Sequence, residues 1–265
     1  MQNLYIIFNV ILYFSILIQS NAVDCIHAIA LHKSGSSVLG HLLSQLYPKE
    51  CFTEQSTTID VTKYPNCPVI MNFYRDWEMG RERIFDKKCD TCKLYLQIRH
   101  PLDVMVSMYN SYTTNKHVLP PHFTKEQKRS EVLLRANEHA KGVDKYSISH
   151  FHYRWAIEVD FHLKLLEEAR IKYKCEVYLS HYESFVSRTI EWSHIFQLFM
   201  SLTSEQNVLL KEWAIAQSNI VVNATKHTTY VYPGAYLKRL KPQTSSKIMQ
   251  NITNYPYIVK YSGYF

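Results

Sequence analysis

Between Cys25 and Leu31 the chain sets a short apolar run, broken at once by His32-Lys33-Ser34-Gly35-Ser36-Ser37. A run of this length bounded by polar residues reads as a buried strand of a parallel sheet. Beyond the loop, Val38, Leu39, Leu42, Leu43 and Leu46 recur at helical spacing until Pro48 stops them. Ser36 or Ser37 can cap that helix.

The same alternation continues. Pro68 to Tyr74 reads as a second strand, and Leu94 to Ile98 as a third. Arg99-His100-Pro101 ends the third strand, and its proline opens another helix. From Thr124 to Arg170 the pattern is helical and amphipathic with a break near Gly142, and Glu176 to Leu179 forms a fourth strand before Tyr182-Glu183. Helices resume through Trp213, and a turn-rich tail with Pro233-Gly234 and Pro242 follows Ala216. The expected fold class is therefore α/β, a single domain with a central parallel sheet flanked by helices. A chain of 265 residues favours one large domain over two small ones. Ligands of such sheets bind at the carboxyl ends of the strands.

Leu4 to Ile18 is almost unbroken apolar sequence, and small Ser20 and Ala22 suit a signal-peptidase site. Residues 1–22 are thus expected to be a cleaved signal peptide and 23–265 the functional domain. The alternative is an uncleaved signal anchor, because no Lys or Arg precedes the run. No later stretch suits a transmembrane helix, so the mature chain is expected in the secretory pathway, in the Golgi lumen or secreted. All six cysteines, Cys25, Cys51, Cys67, Cys89, Cys92 and Cys175, follow the proposed cleavage site, and an even set in an oxidising lumen suggests disulfides. Spacing does not choose among the connectivities. Cys89 and Cys92 are close enough for a local loop, or for a redox or zinc half-site whose second half is missing. Two sequons, at Asn223 and Asn251, are compatible with glycosylation. The net charge of +7 has no run resembling a nucleic-acid tail and fits an anionic ligand or ordinary surface lysines.

The loop after the first strand packs a lysine, a glycine and three serines between a strand end and a helix start. Amides at a helix N-terminus lack intrahelical partners and carry the positive end of the dipole, so they attract phosphate or sulfate. Gly35 allows close backbone approach, Ser34, Ser36 and Ser37 add hydroxyl donors, and Lys33 supplies a point charge. The loop is not a Walker A motif, and taken alone it also suits a plain capped helix. Arg99 through Ser107 repeats the architecture. Pro101 occupies the first helical position, Asp103 complements the dipole, and Arg99 can pair bidentately with a phosphate while Ser107 donates a hydroxyl.

Together these segments resemble the PAPS-dependent sulfotransferase family, whose donor is 3′-phosphoadenosine 5′-phosphosulfate. Lys33-Ser34-Gly35-Ser36-Ser37 is similar to its P-loop-like phosphosulfate-binding loop, usually Pro-Lys-Ser-Gly-Thr-Thr-Trp. Arg99 to Ser107 is similar to its 3′-phosphate motif, usually Arg-Asn-Pro-x-Asp-x-x-x-Ser. Tyr182-Glu183 resembles the family's Tyr-Glu pair, and Pro233-Gly234-Ala235-Tyr236-Leu237-Lys238 its Gly-x-Trp-Lys stretch. The resemblance implies that PAPS is the sulfuryl donor. It also implies that Lys33 assists departure of the bridging oxygen, that Arg99 and Ser107 hold the 3′-phosphate, and that Tyr182 and Gly234 lie in the donor site.

The departures are specific. Val38 stands where a tryptophan would stack on adenine. Thr229-Tyr230-Val231 replaces the usual Arg-Lys-Gly, with Lys226 and His227 just upstream. Cytosolic relatives use a histidine base after the second strand; here Asn72-Phe73-Tyr74-Arg75-Asp76-Trp77-Glu78 contains none. Glu78 and Asp76 are the candidate catalytic bases, and Arg75 can steady the sulfuryl group. No metal ligand set is expected, since His150 and His152 do not share a helical face. The partner implied is a hydroxyl-bearing acceptor, a glycan, small molecule or peptide, with no nucleic acid. The competing expectations are a catalytically inactive luminal PAPS- or PAP-binding protein of the same fold and, ranked below it, a P-loop nucleotide kinase.

Overall fold

The computed structural model describes residues 23–54, 64, 66–74, 89–113, 119, 122–220 and 233–264. Among them, β1 (Asp24–Ala30), β2 (Phe52–Glu54), β3 (Val69–Tyr74), β4 (Thr91–Ile98) and β5 (Glu176–His181) form one sheet in the order β2-β3-β1-β4-β5. Every neighbouring pair is parallel. Apolar β1 lies at the centre and is buried from Cys25 to Ala30, as a strand covered on both faces must be. Its Ile29 stands opposite Tyr74 on one side and Leu96 on the other, while Ile98 stands opposite His181. From β1 the chain goes to β2 at one edge, returns through β3 beside β1, and then crosses to β4 on the other side, so the strand order reverses beside β1. The loops after β1 and β4 therefore meet at the carboxyl edge, where such sheets hold ligands.

Helix α1 (Ser36–Leu46) follows β1 and α2 (Pro101–Thr113) follows β4. Next come α3 (Lys125–Phe151), a π-helical turn at His152–Ala156, and α4 (Ile157–Lys172). After β5 the chain forms α5 (Tyr182–Ser187), α6 (Thr189–Met200) and α7 (Ser204–Ile220). One face of the sheet buries Leu94, Leu96 and Ile98 with Val104, Met105, Trp155, Val159 and Leu163. The other buries Ala28, Met71 and Phe73 with Leu39, Leu42, Leu43, Trp192 and Phe196. Helix α1 comes close through Gly40, where a Cβ would lie 2.6 Å from Phe73 Cε1.

Three disulfides, Cys25–Cys89, Cys51–Cys67 and Cys92–Cys175, use all six cysteines. Cys89 and Cys92 thus form neither a local loop nor a redox pair. Each ties a different segment to the amino end of β1 or β4, the edge opposite the β1–α1 loop. No helix among the described residues is long and apolar enough to cross a membrane.

The structure departs from the sequence pattern in four places. Strand β2 is too short to show a period. Neither Ser36 nor Ser37 caps α1; the N-cap is Gly35 in the left-handed conformation, with no side-chain cap. The break at Gly142 is present (φ 79°, ψ 163°), but a π-helical turn at 152–156 adds a second irregularity. The end of the tail is helical, with a 3-10 turn at Ala235–Lys238, α8 (Pro242–Asn251), a second 3-10 turn at Ile252–Asn254 and α9 (Pro256–Tyr261).

Candidate active site at the carboxyl edge of the sheet

The β1–α1 loop is tied down from below by β4. Leu31 N–H donates to Gln97 O at 3.1 Å, and Ser34 Oγ donates to Leu31 O at 2.5 Å and to Gln97 O at 3.1 Å. The Gln97 side chain returns a bond from Nε2 to Ser34 O and accepts from Tyr95 Oη at 2.6 Å through Oε1. Ser34 is thus buried and structurally committed. Lys33 (φ 62°) and Gly35 (φ 86°) are both left-handed. For Lys33 this conformation costs about 1–2 kcal/mol, which the bonded loop sustains. A Cβ on Gly35 would lie 2.8 Å from Tyr182 Cε2, so glycine is required by both space and backbone angle. The loop delivers the first-turn amides of Ser36 and Ser37, which have no carbonyl four residues back inside α1, to an open helix end. Ser36 is half-buried and Ser37 exposed.

Arg99 ends β4 and is buried (3% exposed). Its Nη1 donates to Lys33 O at 3.1 Å and its guanidinium lies 4.4 Å from the centre of the Tyr182 ring. The sequence-identified Lys33, Gly35, Arg99 and Tyr182 therefore form one contiguous group. Burial, and next the Arg99 charge, lower the Lys33 ammonium below its ordinary value; burial raises the Tyr182 phenol. Lys33 Nζ donates to Ser111 Oγ at 2.7 Å. Ser107, on the same helix one turn earlier, is half-buried.

Gly234 joins this group through Asp103. The buried carboxylate accepts from Gly234 N–H at 2.8 Å and Tyr236 N–H at 3.1 Å, which pins the 3-10 turn to the start of α2. Tyr236 then stacks on His100, with ring centres 4.9 Å apart and planes 5° from parallel. Glu183 accepts from His100 N–H at 2.8 Å and from Tyr264 Oη at 3.0 Å. Burial lowers the His100 imidazolium, opposed by Asp103 and Glu183. Trp155 Nε1 donates to Arg99 O at 3.1 Å, and His32 N–H donates to Glu158 Oε1 at 3.4 Å.

Sequence reasoning missed Ser111, Glu158 and Tyr264. Their only signal was helical or chain-end placement, which says nothing about long-range contacts. The candidate bases Asp76 and Glu78 lie outside the described residues, as do Arg75, Lys226, His227, Thr229, Tyr230 and the Asn223 sequon. Of the histidines weighed in the sequence, His150 stacks on Tyr146, exposed His152 bonds Tyr255 Oη, and His162 is buried.

No protein-family model matches the chain, and no curated protein sequence matches it. Among solved structures, the chain is similar to a crystal structure of the mouse sulfotransferase SULT7A1 complexed with PAP. The TM-score is 0.50 with 17% sequence identity, over 88% of this chain and 84% of that one. The central parallel sheet flanked by helices is thus a sulfotransferase-like fold.

Proposed function

We propose that the chain is a sulfotransferase that moves a sulfuryl group from PAPS to a hydroxyl acceptor, a glycan or another molecule of the secretory pathway. One observation carries this reading: Arg99 Nη1 bonds the carbonyl of Lys33. Two anion sites, an open helix end and a buried guanidinium, are thereby fixed side by side, as a nucleotide with two separate phosphate groups needs.

In this reading the Lys33–Ser37 loop and the α1 amides hold the phosphosulfate, and Arg99 with Ser107 holds the 3′-phosphate. The donor supplies a sulfuryl group on a bridging oxygen, which takes the S–O electron pair as the acceptor oxygen attacks sulfur in line. Lys33 is the residue proposed to serve that oxygen. An ammonium lowered by burial is a better proton donor than an ordinary lysine, which suits it to neutralise the leaving charge. Tyr182 packs under Arg99 and against Gly35, and Gly234 sets the turn that leads Tyr236 onto His100. Asp76 and Glu78 are proposed to take the acceptor proton. With Val38 in place of tryptophan, adenine is held without the usual stacking partner. Residues 1–22 are proposed as a signal peptide, and the three disulfides support an oxidising compartment.

The test is incubation of the purified protein with sulfur-labelled PAPS and a panel of glycans, phenols, alcohols and tyrosine peptides. Label in any acceptor supports transfer. PAP binding without transfer across the panel would favour a non-catalytic nucleotide-binding protein. Absence of PAP binding would overturn the reading.

A further inference from the structure

We infer that Tyr264 is a positioning residue for the nucleotide site: it holds the Glu183 carboxylate that fixes the backbone beside Arg99, a role that rests on the sulfotransferase reading. The peptide joining Arg99 to His100 is gripped at both of its polar ends. Its carbonyl accepts from Trp155 Nε1 at 3.1 Å, and its N–H donates to Glu183 Oε1 at 2.8 Å. The orientation of this peptide sets where the Arg99 side chain leaves the backbone. Glu183 also follows directly on Tyr182, whose ring centre lies 4.4 Å from the same guanidinium. One carboxylate thus steadies two supports of Arg99.

That carboxylate has a holder of its own. Its second oxygen accepts from Tyr264 Oη at 3.0 Å. Bonded at one oxygen only, a half-buried carboxylate can turn about its last side-chain bond; bonded at both, it cannot. Burial, and next Glu183 itself, raise the Tyr264 phenol above its ordinary value, so it keeps its proton and remains a donor.

The hydroxyl is delivered by a strap. The Tyr264 ring meets His100 at 5.2 Å and His181 at 5.1 Å between ring centres, edge-on to each. His181 ends β5, and its Nε2 donates to Ser262 O at 2.5 Å. Just before Ser262, α9 is docked on α4: Asp160 Oδ1 accepts from Tyr257 N–H at 2.9 Å and Ile258 N–H at 3.1 Å, and Ile258 and Ser262 are buried. Residues 257–264 are therefore anchored on α4 at one end and on β5 at the other, with Tyr264 set between the residue after β4's Arg99 and the last residue of β5.

Tyr264→Phe keeps the ring contacts to both histidines and loses only the hydroxyl. Calorimetric titration should show PAP bound about tenfold more weakly, the loss expected when one hydrogen bond to a charged group is removed. In turnover, KM for PAPS should rise by a similar factor while kcat holds, because the hydroxyl serves binding and not the transfer step. Tyr261→Phe is the control within the same segment. It removes a hydroxyl bonded to Glu167 on α4, so it should lower the melting temperature comparably and leave PAP affinity unchanged. In a Glu183→Ala background, Tyr264→Phe should have little further effect on PAP affinity, since the path is already cut.

PAP affinity in Tyr264→Phe within about twofold of the unaltered chain would overturn the proposal. So would an equal loss in Tyr261→Phe, which would make the effect one of general stability, or full additivity with Glu183→Ala, which would place Tyr264 on another path. Each of these results leaves the sulfotransferase reading standing. If the unaltered chain bound no PAP, that reading would fail and this inference with it.

Discussion

Gly35→Ala tests whether the β1–α1 loop and the Arg99 site are one unit. Gly35 has φ 86°, and an alanine there costs about 1–2 kcal/mol from backbone strain alone. Its Cβ would lie 2.8 and 2.9 Å from Tyr182 Cε2 and Cδ2, inside contact distance, and such overpacking costs about 1–3 kcal/mol. The sum is about 2–5 kcal/mol, or a fall in melting temperature of roughly 4–20 °C for a chain this size. Tyr182 can relieve the clash only by moving under Arg99, whose guanidinium sits 4.4 Å from the ring, so PAP affinity should fall at least about tenfold. Gly40→Ala is the matched control. It also collides, with Phe73 at 2.6 Å, but it lies inside α1 and contacts no anion site. It should lower the melting temperature and leave PAP affinity unchanged. Calorimetric titration with PAP and thermal unfolding of both variants decide the matter. If Gly35→Ala bound PAP within twofold of the unaltered chain, the claimed continuity from loop to ring to guanidinium would be wrong.

Lys33→Ala should cut sulfuryl transfer by about 10²–10³-fold, the loss typical of one charge-stabilising donor, with a smaller effect on PAP binding. Arg99→Ala should do the reverse, weakening PAP by about 10–100-fold, as expected for a lost charge-assisted contact; titration and turnover measured side by side separate them. Acid should destabilise the fold through His27 and His162, which burial lowers to about 4. The unfolded chain takes up a proton on each below about pH 6.5 and the folded chain does not. Stability is therefore complete above that pH and falls toward pH 4, by about 2 kcal/mol per histidine at pH 5; a melting temperature constant from pH 7 to 5 would contradict this. Replacing Cys92 and Cys175 by alanine opens an 83-residue separation and should cost about 4–5 kcal/mol, against about 3 for Cys51 and Cys67, separated by 16. Chemical denaturation reads the order, and equal costs would count against it.

How much of this the sequence discloses depends on the range of the interaction. Strands β1, β3 and β4 were legible because burial on both faces leaves a continuous apolar run; β5, a mostly half-buried edge strand, showed only in its short run Val177–Leu179, and Phe52–Glu54 carries no such mark. The geometry of the two candidate sites was legible because each is a local strand–turn–helix, with Gly35 and Pro101 at positions where few residues fit. The N-cap was misjudged because Ser36 and Ser37 are good caps in general, but here the left-handed Gly35 already sets the start of α1. Disulfide pairing could not be read, since Cys89 and Cys92 are neighbours in sequence yet lead to β1 and to the turn before β5. Ser111, Glu158 and Tyr264 meet the site only through packing of segments far apart in the chain, and a single sequence carries no signal for such meetings.

The central claim is that the loop at Lys33 and the guanidinium of Arg99 together hold one two-phosphate nucleotide. Calorimetric titration with PAP tests it most directly. One PAP per chain, bound tightly by the unaltered protein and at least about tenfold more weakly by Arg99→Ala, is the expected result. Failure of the unaltered protein to bind PAP, or equal affinity in Arg99→Ala, would contradict it.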